Sequence, residues 1–215
     1  MLGRDSELSA PREALADLAD DAAGLLDALG IESAHIVGAS MGGMIAQTFA
    51  IDYPQKTRTL TSIMSTTGDP SVGQPAPDAL SALLAPEPTS RDEAIESDVL
   101  LWKVIGSPGY PFDEARIRER AELNYDRSFH PSGVIRQLAA IITQPDRTQS
   151  LGSVNVPTLV VHGAEDPLVD PSGGQATFGA VPNAKLKIVP GMGHDIPTEL
   201  NEESADLLAE HFALA

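Results

Sequence analysis

The sequence predicts a parallel α/β fold, and three observations carry that prediction. The pentapeptide Gly38-Ala39-Ser40-Met41-Gly42 follows an apolar run and opens a helical stretch. Two later apolar runs are each followed within a few residues by a side chain suited to catalysis, Asp166 and His194. Helical periodicity fills most of the remaining chain, so strands and helices alternate as they do around a parallel sheet.

The elements follow in order. Over 11–29, Leu15, Leu18, Ala22, Leu25, Leu26 and Leu29 fall at helical spacing, and Gly30 stops the helix. A strand is expected near 34–39, a helix near 42–52 and a second strand near 58–65. Pro- and Ala-rich sequence over 69–88 then breaks the rhythm. Helical segments near 90–105, 113–127 and 131–143 come next, and no strand pattern returns before Val156. The run 156–163 is continuously apolar and ends in Gly, as a strand buried on both faces should. A helix near 172–180, a strand over 184–190 and an amphipathic helix near 198–213 complete the order.

Gly-x-Ser-x-Gly between a strand and a helix reads as a nucleophile elbow. The turn forces Ser40 into a strained backbone conformation, and Gly38 and Gly42 let neighbouring backbone approach without a Cβ in the way. The serine hydroxyl then stands at a helix N-terminus, where the Met41 N–H and the helix dipole favour a developing oxyanion. Asp166 and His194 each lie just past the C-terminal end of a strand, the edge where open parallel sheets build their sites. Serine needs a base to take its proton, and His194 suits that role near neutral pH. An acid on the other ring nitrogen would fix the tautomer. Asp166 is the expected acid, with Asp69 as its main rival. Glu165 and Asp195 adjoin Asp166 and His194 too closely in sequence to fold back onto the ring.

The other histidines read as structural. His35 and His162 lie within apolar strands and are expected in the core, His130 starts a helix, and His211 is expected to be solvated on the last helix. No His/Asp cluster or H-E-x-x-H suggests a metal, and there is no cysteine. Neither metal nor cofactor is expected.

The stretches Ala34-His35-Ile36-Val37-Gly38-Ala39-Ser40-Met41-Gly42-Gly43-Met44-Ile45-Ala46-Gln47, Val161-His162-Gly163-Ala164-Glu165-Asp166-Pro167-Leu168-Val169 and Gly191-Met192-Gly193-His194-Asp195-Ile196-Pro197 resemble the α/β-hydrolases. Within them the chain is similar to the aclacinomycin methylesterase-like bacterial esterases, and Ile105-Gly106-Ser107-Pro108-Gly109-Tyr110-Pro111 adds to that likeness. The order Ser, Asp, His is the order that superfamily uses. The resemblance implies a Ser40–His194–Asp166 hydrolase of carboxylic esters or related small acyl compounds. It also implies a core over 1–69 and 149–215, with 70–148 as a helical cap at the usual place of insertion.

The family places several strands before the elbow strand, together with a loop that donates a second oxyanion N–H. Here the first helix and the elbow strand follow almost at once. The expectation is therefore an N-terminally truncated parallel sheet, either a fragment or a minimal hydrolase, with Met41 as the one recognised oxyanion donor and weakened turnover. An elbow strand with an open edge is also expected to favour self-association.

Composition bounds the rest. Thirty-one acidic against 14 basic residues give a formal net charge of −17 over 215 residues. That argues against nucleic acid or an anionic membrane as partner. No signal-like segment or apolar run near 18 residues is present, so a cytoplasmic location is expected. The chain has one Trp, three Tyr and five Phe, and Trp102, Tyr110, Phe112, Tyr125 and Phe129 all fall within 70–148. Substrate specificity is expected there, with Trp102, Tyr125 and Phe129 as candidate contacts beside Arg136 and Gln137. Two function classes remain: a serine esterase, including its lactonase, perhydrolase and C–C hydrolase variants, or a non-catalytic paralogue that binds a ligand or partner. A carboxylate in place of Ser40 would be needed for dehalogenase or epoxide hydrolase chemistry.

Overall fold

The computed structural model describes residues 14–215; the expected start of the first helix, at 11–13, lies outside them. Strands β1 (Ala34–Ala39), β2 (Thr57–Ile63), β3 (Thr158–Gly163) and β4 (Lys185–Val189) form one sheet in the order β1-β2-β3-β4. All three pairings are parallel, and the register sets Ile63 beside Val161 and Gly163 beside Val189. Among the described residues β1 is an edge strand, with Val37 43% exposed.

Two layers of helix cover the sheet, and side-chain alternation along β2 shows both. Leu60 packs against Ala46 and Ala50 of α2 (Met41–Asp52), Leu151 of α7 (Thr148–Leu151) and Val181 after α8 (Ser172–Ala180). Ile63 faces the other way and packs with Val189, Met192 and Leu200, the last just ahead of α9 (Asn201–Phe212). Outside α2 lies α1 (Leu15–Ala28), whose Ala19 and Ala23 bury Phe49 to 1% exposure. Its end is a Schellman turn: Gly30, at φ 68°, donates to Asp27 O, and Ile31 donates to Leu26 O.

Polar residues are built into this core. Gln47, fully buried, donates to the Ser62 hydroxyl at 3.0 Å and accepts from the Arg147 guanidinium at 3.3 Å. Arg147 also donates to the Thr66 carbonyl at 3.0 Å and to Gln144 at 2.8 Å. Burial pulls its pKa down to about 10, so it stays charged at neutral pH, and these neutral acceptors satisfy it. His211 corrects the expectation of a solvated side chain. It is buried, and its Nε2–H donates to Leu60 O at 3.0 Å because α9 lies directly on β2. Its neighbour Phe212 stacks on His35, with ring centroids 4.5 Å apart.

Helices α3 (Pro77–Leu83), α4 (Arg91–Ile105), α5 (Glu114–Ser128) and α6 (Pro131–Ile142) occupy the stretch between β2 and β3. The sequence marks the last three closely but not α3, where Pro77 takes the first helical position at no cost in hydrogen bonds. Nor does it mark the one-turn α7. Ser90 and Asp113 cap α4 and α5 by accepting from Glu93 N and Arg116 N. Salt bridges Arg91–Asp126, Arg118–Glu96 and Lys103–Glu114 join α4 to α5 on the surface, where water and salt screen them and each adds little to stability. No described helix is long and apolar enough to cross a membrane.

Candidate active site

Ser40 sits between β1 and α2 at φ 54°, ψ −121°, a backbone conformation few non-glycine residues adopt. Its amide donates to Ile63 O at 2.9 Å, and its carbonyl accepts from Gly43 N and from the Ser65 hydroxyl, each at 2.9 Å. A Cβ at Gly38 would overlap the Gly42 carbonyl, and one at Gly43 would come within 2.6 Å of Ser65 Cβ. Gly42 itself faces open space. The second close approach expected of Gly42 is therefore made by Gly43, one residue later. Met41 is the first residue of α2, so its N–H has no partner within the helix.

Asp166 follows β3 in a tight turn. One carboxylate oxygen, Oδ1, accepts from Leu168 N and Val169 N, both at 2.9 Å, which fixes the carboxylate plane. The other, Oδ2, lies 2.8 Å from His194 Nδ1. A carboxylate can only accept, so Nδ1 carries the proton and Nε2 is left to accept from the Ser40 hydroxyl, also at 2.8 Å. Asp166 and His194 are buried, at 4% and 5% exposure, while Ser40 opens onto a cleft. The rival acids are occupied elsewhere. Asp69 accepts from Ser71, Glu165 from Gly191 N, and Asp195 from the Ser107 hydroxyl.

Behind Asp166 lies His162, fully buried and 3.5 Å from the same carboxylate oxygen, Oδ2. Its Nε2–H donates to Val169 O at 2.8 Å, and burial pushes its pKa down, so the ring is neutral. Among the described residues no group of three or more His, Cys, Asp or Glu side chains is arranged to hold a metal ion.

The cleft in front of Ser40 and His194 encloses about 540 Å³. Trp102, Ile105, Phe112, Ile117 and Leu168 give it apolar walls, and Arg116 and Arg120 of α5 bring two guanidinium groups to it. Arg116 donates to the Thr198 hydroxyl at 2.6 Å, and Arg120 lies 4.4 Å above the Trp102 ring. Burial pushes the Asp98 carboxyl, one helical turn before Trp102, up from its ordinary range, against the opposing pull of Arg120 and Trp102. Trp102 thus lines the cleft. Tyr125 and Phe129 do not: they stack on each other at 4.5 Å and line a second cavity between α3, α4, α5 and α6. Adjacent residues of α5 belong to the two cavities, Arg120 to the cleft and Ala121 to the second, and helical spacing alone does not say which face looks toward Ser40. The spacing of Arg116 and Arg120, four residues apart, marks them as sharing a face.

The family profile described as alpha/beta hydrolase fold matches residues 2–199. Rhodomycin D methylesterase DauP of Streptomyces sp. (strain C5) is 30% identical over 91% of this chain and 72% of that protein. The 2-hydroxy-6-oxononadienedioate/2-hydroxy-6-oxononatrienedioate hydrolase of Burkholderia vietnamiensis (strain G4 / LMG 22486) is 33% identical over 80% of this chain. The chain spans 59% of that relative's length. The solved structure of Est816, described as an N-acyl homoserine lactone degrading enzyme, superposes with a TM-score of 0.70 at 27% identity, covering 92% of this chain and 74% of that one. The chain belongs to the α/β-hydrolase family, and these relatives are hydrolases.

Proposed function

We propose that the chain is a serine carboxylic ester hydrolase that cleaves esters of small or medium organic acids through an acyl-enzyme. The observation that carries this reading is the unbroken hydrogen-bond relay from Ser40 through His194 to a buried, doubly anchored Asp166. Ser40 Oγ attacks the ester carbonyl carbon while its proton passes to His194 Nε2. The carbonyl oxygen becomes an oxyanion within reach of the Met41 N–H at the positive end of α2. Collapse of this intermediate breaks the C–O bond, and His194 returns the proton to the leaving alcohol. Water then attacks the acyl-Ser40 carbonyl, giving its proton to His194; collapse breaks the acyl C–Oγ bond, His194 returns the proton to Ser40 Oγ, and the acid leaves. Helices α3 to α6 act as a cap over the cleft, with Trp102 as its aromatic wall.

Hydrolysis of p-nitrophenyl acetate tests the reading. Ser40→Ala and His194→Ala should each lower turnover by about 10⁴-fold or more, and Asp166→Asn somewhat less. A fluorophosphonate probe should label Ser40 and no other serine. Absence of both turnover and label in folded protein would leave the non-catalytic alternative standing.

A second reading, C–C bond hydrolysis in a carboxylate-bearing substrate, is favoured by the two arginines facing the cleft and by a relative named for a dioate substrate. Arg120→Met would separate the two: loss of turnover of an acidic substrate with p-nitrophenyl acetate unaffected supports the second.

A further inference from the structure

His194 sits on a loop, and loops do not hold a side chain to tenths of an ångström unless something holds the loop. The sheet supplies part of the hold: Glu165 N donates to Met192 O at 3.1 Å, and Gly191 N donates to the Glu165 carboxylate at 2.5 Å. The rest comes from 105–109, where α4 ends and the chain turns toward α5. His194 N donates to Ile105 O at 2.7 Å, taking up a carbonyl that the end of α4 leaves without a helical partner. Gly109 N donates to Gly191 O at 2.9 Å. A Cβ on Gly109 would strike Gly191 Cα, and one on Gly193 would strike Gly106 O, so the two loops meet backbone to backbone.

Ser107 lies at the centre of this contact. Its hydroxyl accepts from Gly193 N at 2.8 Å and donates to Asp195 Oδ1 at 2.5 Å. One side chain therefore grips the residue on each side of His194. The imidazole is aimed by Asp166 and Ser40, while the backbone it hangs from is fixed by Ser107 and Ile105. Asp195, too close in sequence to reach the His194 ring, uses its carboxylate on Ser107 instead.

From this we propose that Ser107 is a positioning residue: it holds the His194 loop so that the imidazole stays in line between Asp166 and Ser40. The proposal rests on the reading of His194 as the general base. Small displacements of a reacting group cost large factors in rate, because the geometry of attack is what the site supplies.

The test compares Ser107→Ala, Asp195→Ala, Ser107→Thr and the double variant Ser107→Ala/Asp195→Ala with the unaltered chain. Turnover of p-nitrophenyl acetate is expressed per fluorophosphonate-titratable site, which removes any loss of folded protein. Ser107→Ala should lower kcat by about tenfold with KM within about twofold, and Ser107→Thr should recover most of the rate. The double variant should be no slower than its slower single variant. Independently of activity, the downfield proton resonance of the His194 Nδ1–H, assigned by its loss in Asp166→Asn, should broaden or move in Ser107→Ala and return in Ser107→Thr. An unchanged resonance, an unchanged kcat, or an effect confined to KM overturns the proposal. If the unaltered chain turns over no ester while the resonance still answers to Ser107, the esterase reading fails and the positioning role stands.

Discussion

The sheet with its covering helices and the helical stretch between β2 and β3 solve the burial problem in opposite ways. Around the sheet, polar groups are taken inside and given partners: Gln47 pairs with Ser62 and Arg147, and His211 and His162 each bond through one ring nitrogen, to Leu60 O and Val169 O, the other nitrogen staying unpartnered. In the helical stretch apolar groups are left outside. Leu123, Val134, Ile135 and Ile142 are each more than 60% exposed, and α6 buries only Ala140. A network of paired buried polar groups has one satisfactory arrangement, whereas a thinly packed apolar layer has several of similar energy. The sheet therefore fixes Ser40, Asp166 and His194 relative to one another, and the loosely covered apolar faces of the helical stretch lie away from the cleft, Val134 and Ile135 around the second cavity.

The sharpest way to break this contrast is to delete apolar volume in each region. Phe49 is wedged between α1 and α2, so Phe49→Ala should cost about 3–5 kcal/mol by chemical denaturation. Ile142→Ala on α6 should stay within about 0.5 kcal/mol. A cost at Ile142 comparable to that at Phe49 would show that the helical stretch is as tightly packed as the sheet.

Backbone crowding gives the next contrast, within the elbow itself. Gly38→Ala drives a methyl into the Gly42 carbonyl, so backbone must shift, and a loss of about 1–3 kcal/mol is expected. Gly42→Ala meets nothing within 4 Å and should leave the melting temperature nearly unchanged. Equal effects at the two positions would mean that the elbow is held by something other than the approach of β1 to α2.

How much of this was legible in the sequence divides along the same line. β1 was readable to the residue, because an apolar run ended by glycine can hardly be anything else beside a following helix. Asp166 and His194 were readable because parallel strands deliver their C-terminal ends to one edge, whatever the distance in sequence. The partners of Ser107, Arg147 and His211 were not. Each bonds to a group 80 or more residues away, and no periodicity encodes which loop meets which. Tyr125 and Phe129 were misplaced for a related reason. The facing of α5 depends on how the turn after α4 docks on the His194 loop, a tertiary contact rather than a pattern.

Those two aromatics yield a smaller prediction. Trp102→Ala removes a wall of the cleft and the platform under Arg120, and should lower kcat/KM for an aryl ester several-fold, about 1 kcal/mol. Tyr125→Ala and Phe129→Ala, one cavity away, should leave it unchanged. Movement of the Tyr125 value with that of Trp102 would join the two cavities into one functional unit.

The smallest effect expected concerns pH. Burial lowers the pKa of His162 and of His211 below the ordinary histidine value in the folded chain, so near pH 6 the unfolded chain binds more protons than the folded one. Stability then rises with pH through that window, and falls as pH drops below the unfolded value of 6.5, down to the depressed folded values. The acidic surface works against this trend. At a net charge of −17 the chain repels itself at pH 7, and partial protonation of carboxylates on acidification relieves the repulsion. A bare melting curve against pH therefore mixes the two. His211→Gln separates them, because a glutamine amide can still donate to Leu60 O but has no proton to gain. Between pH 7 and pH 5 the variant should lose less stability than the unaltered chain. A parallel loss in both would mean that the proton is taken up elsewhere, and that burying a histidine against β2 carries no pH cost in this fold.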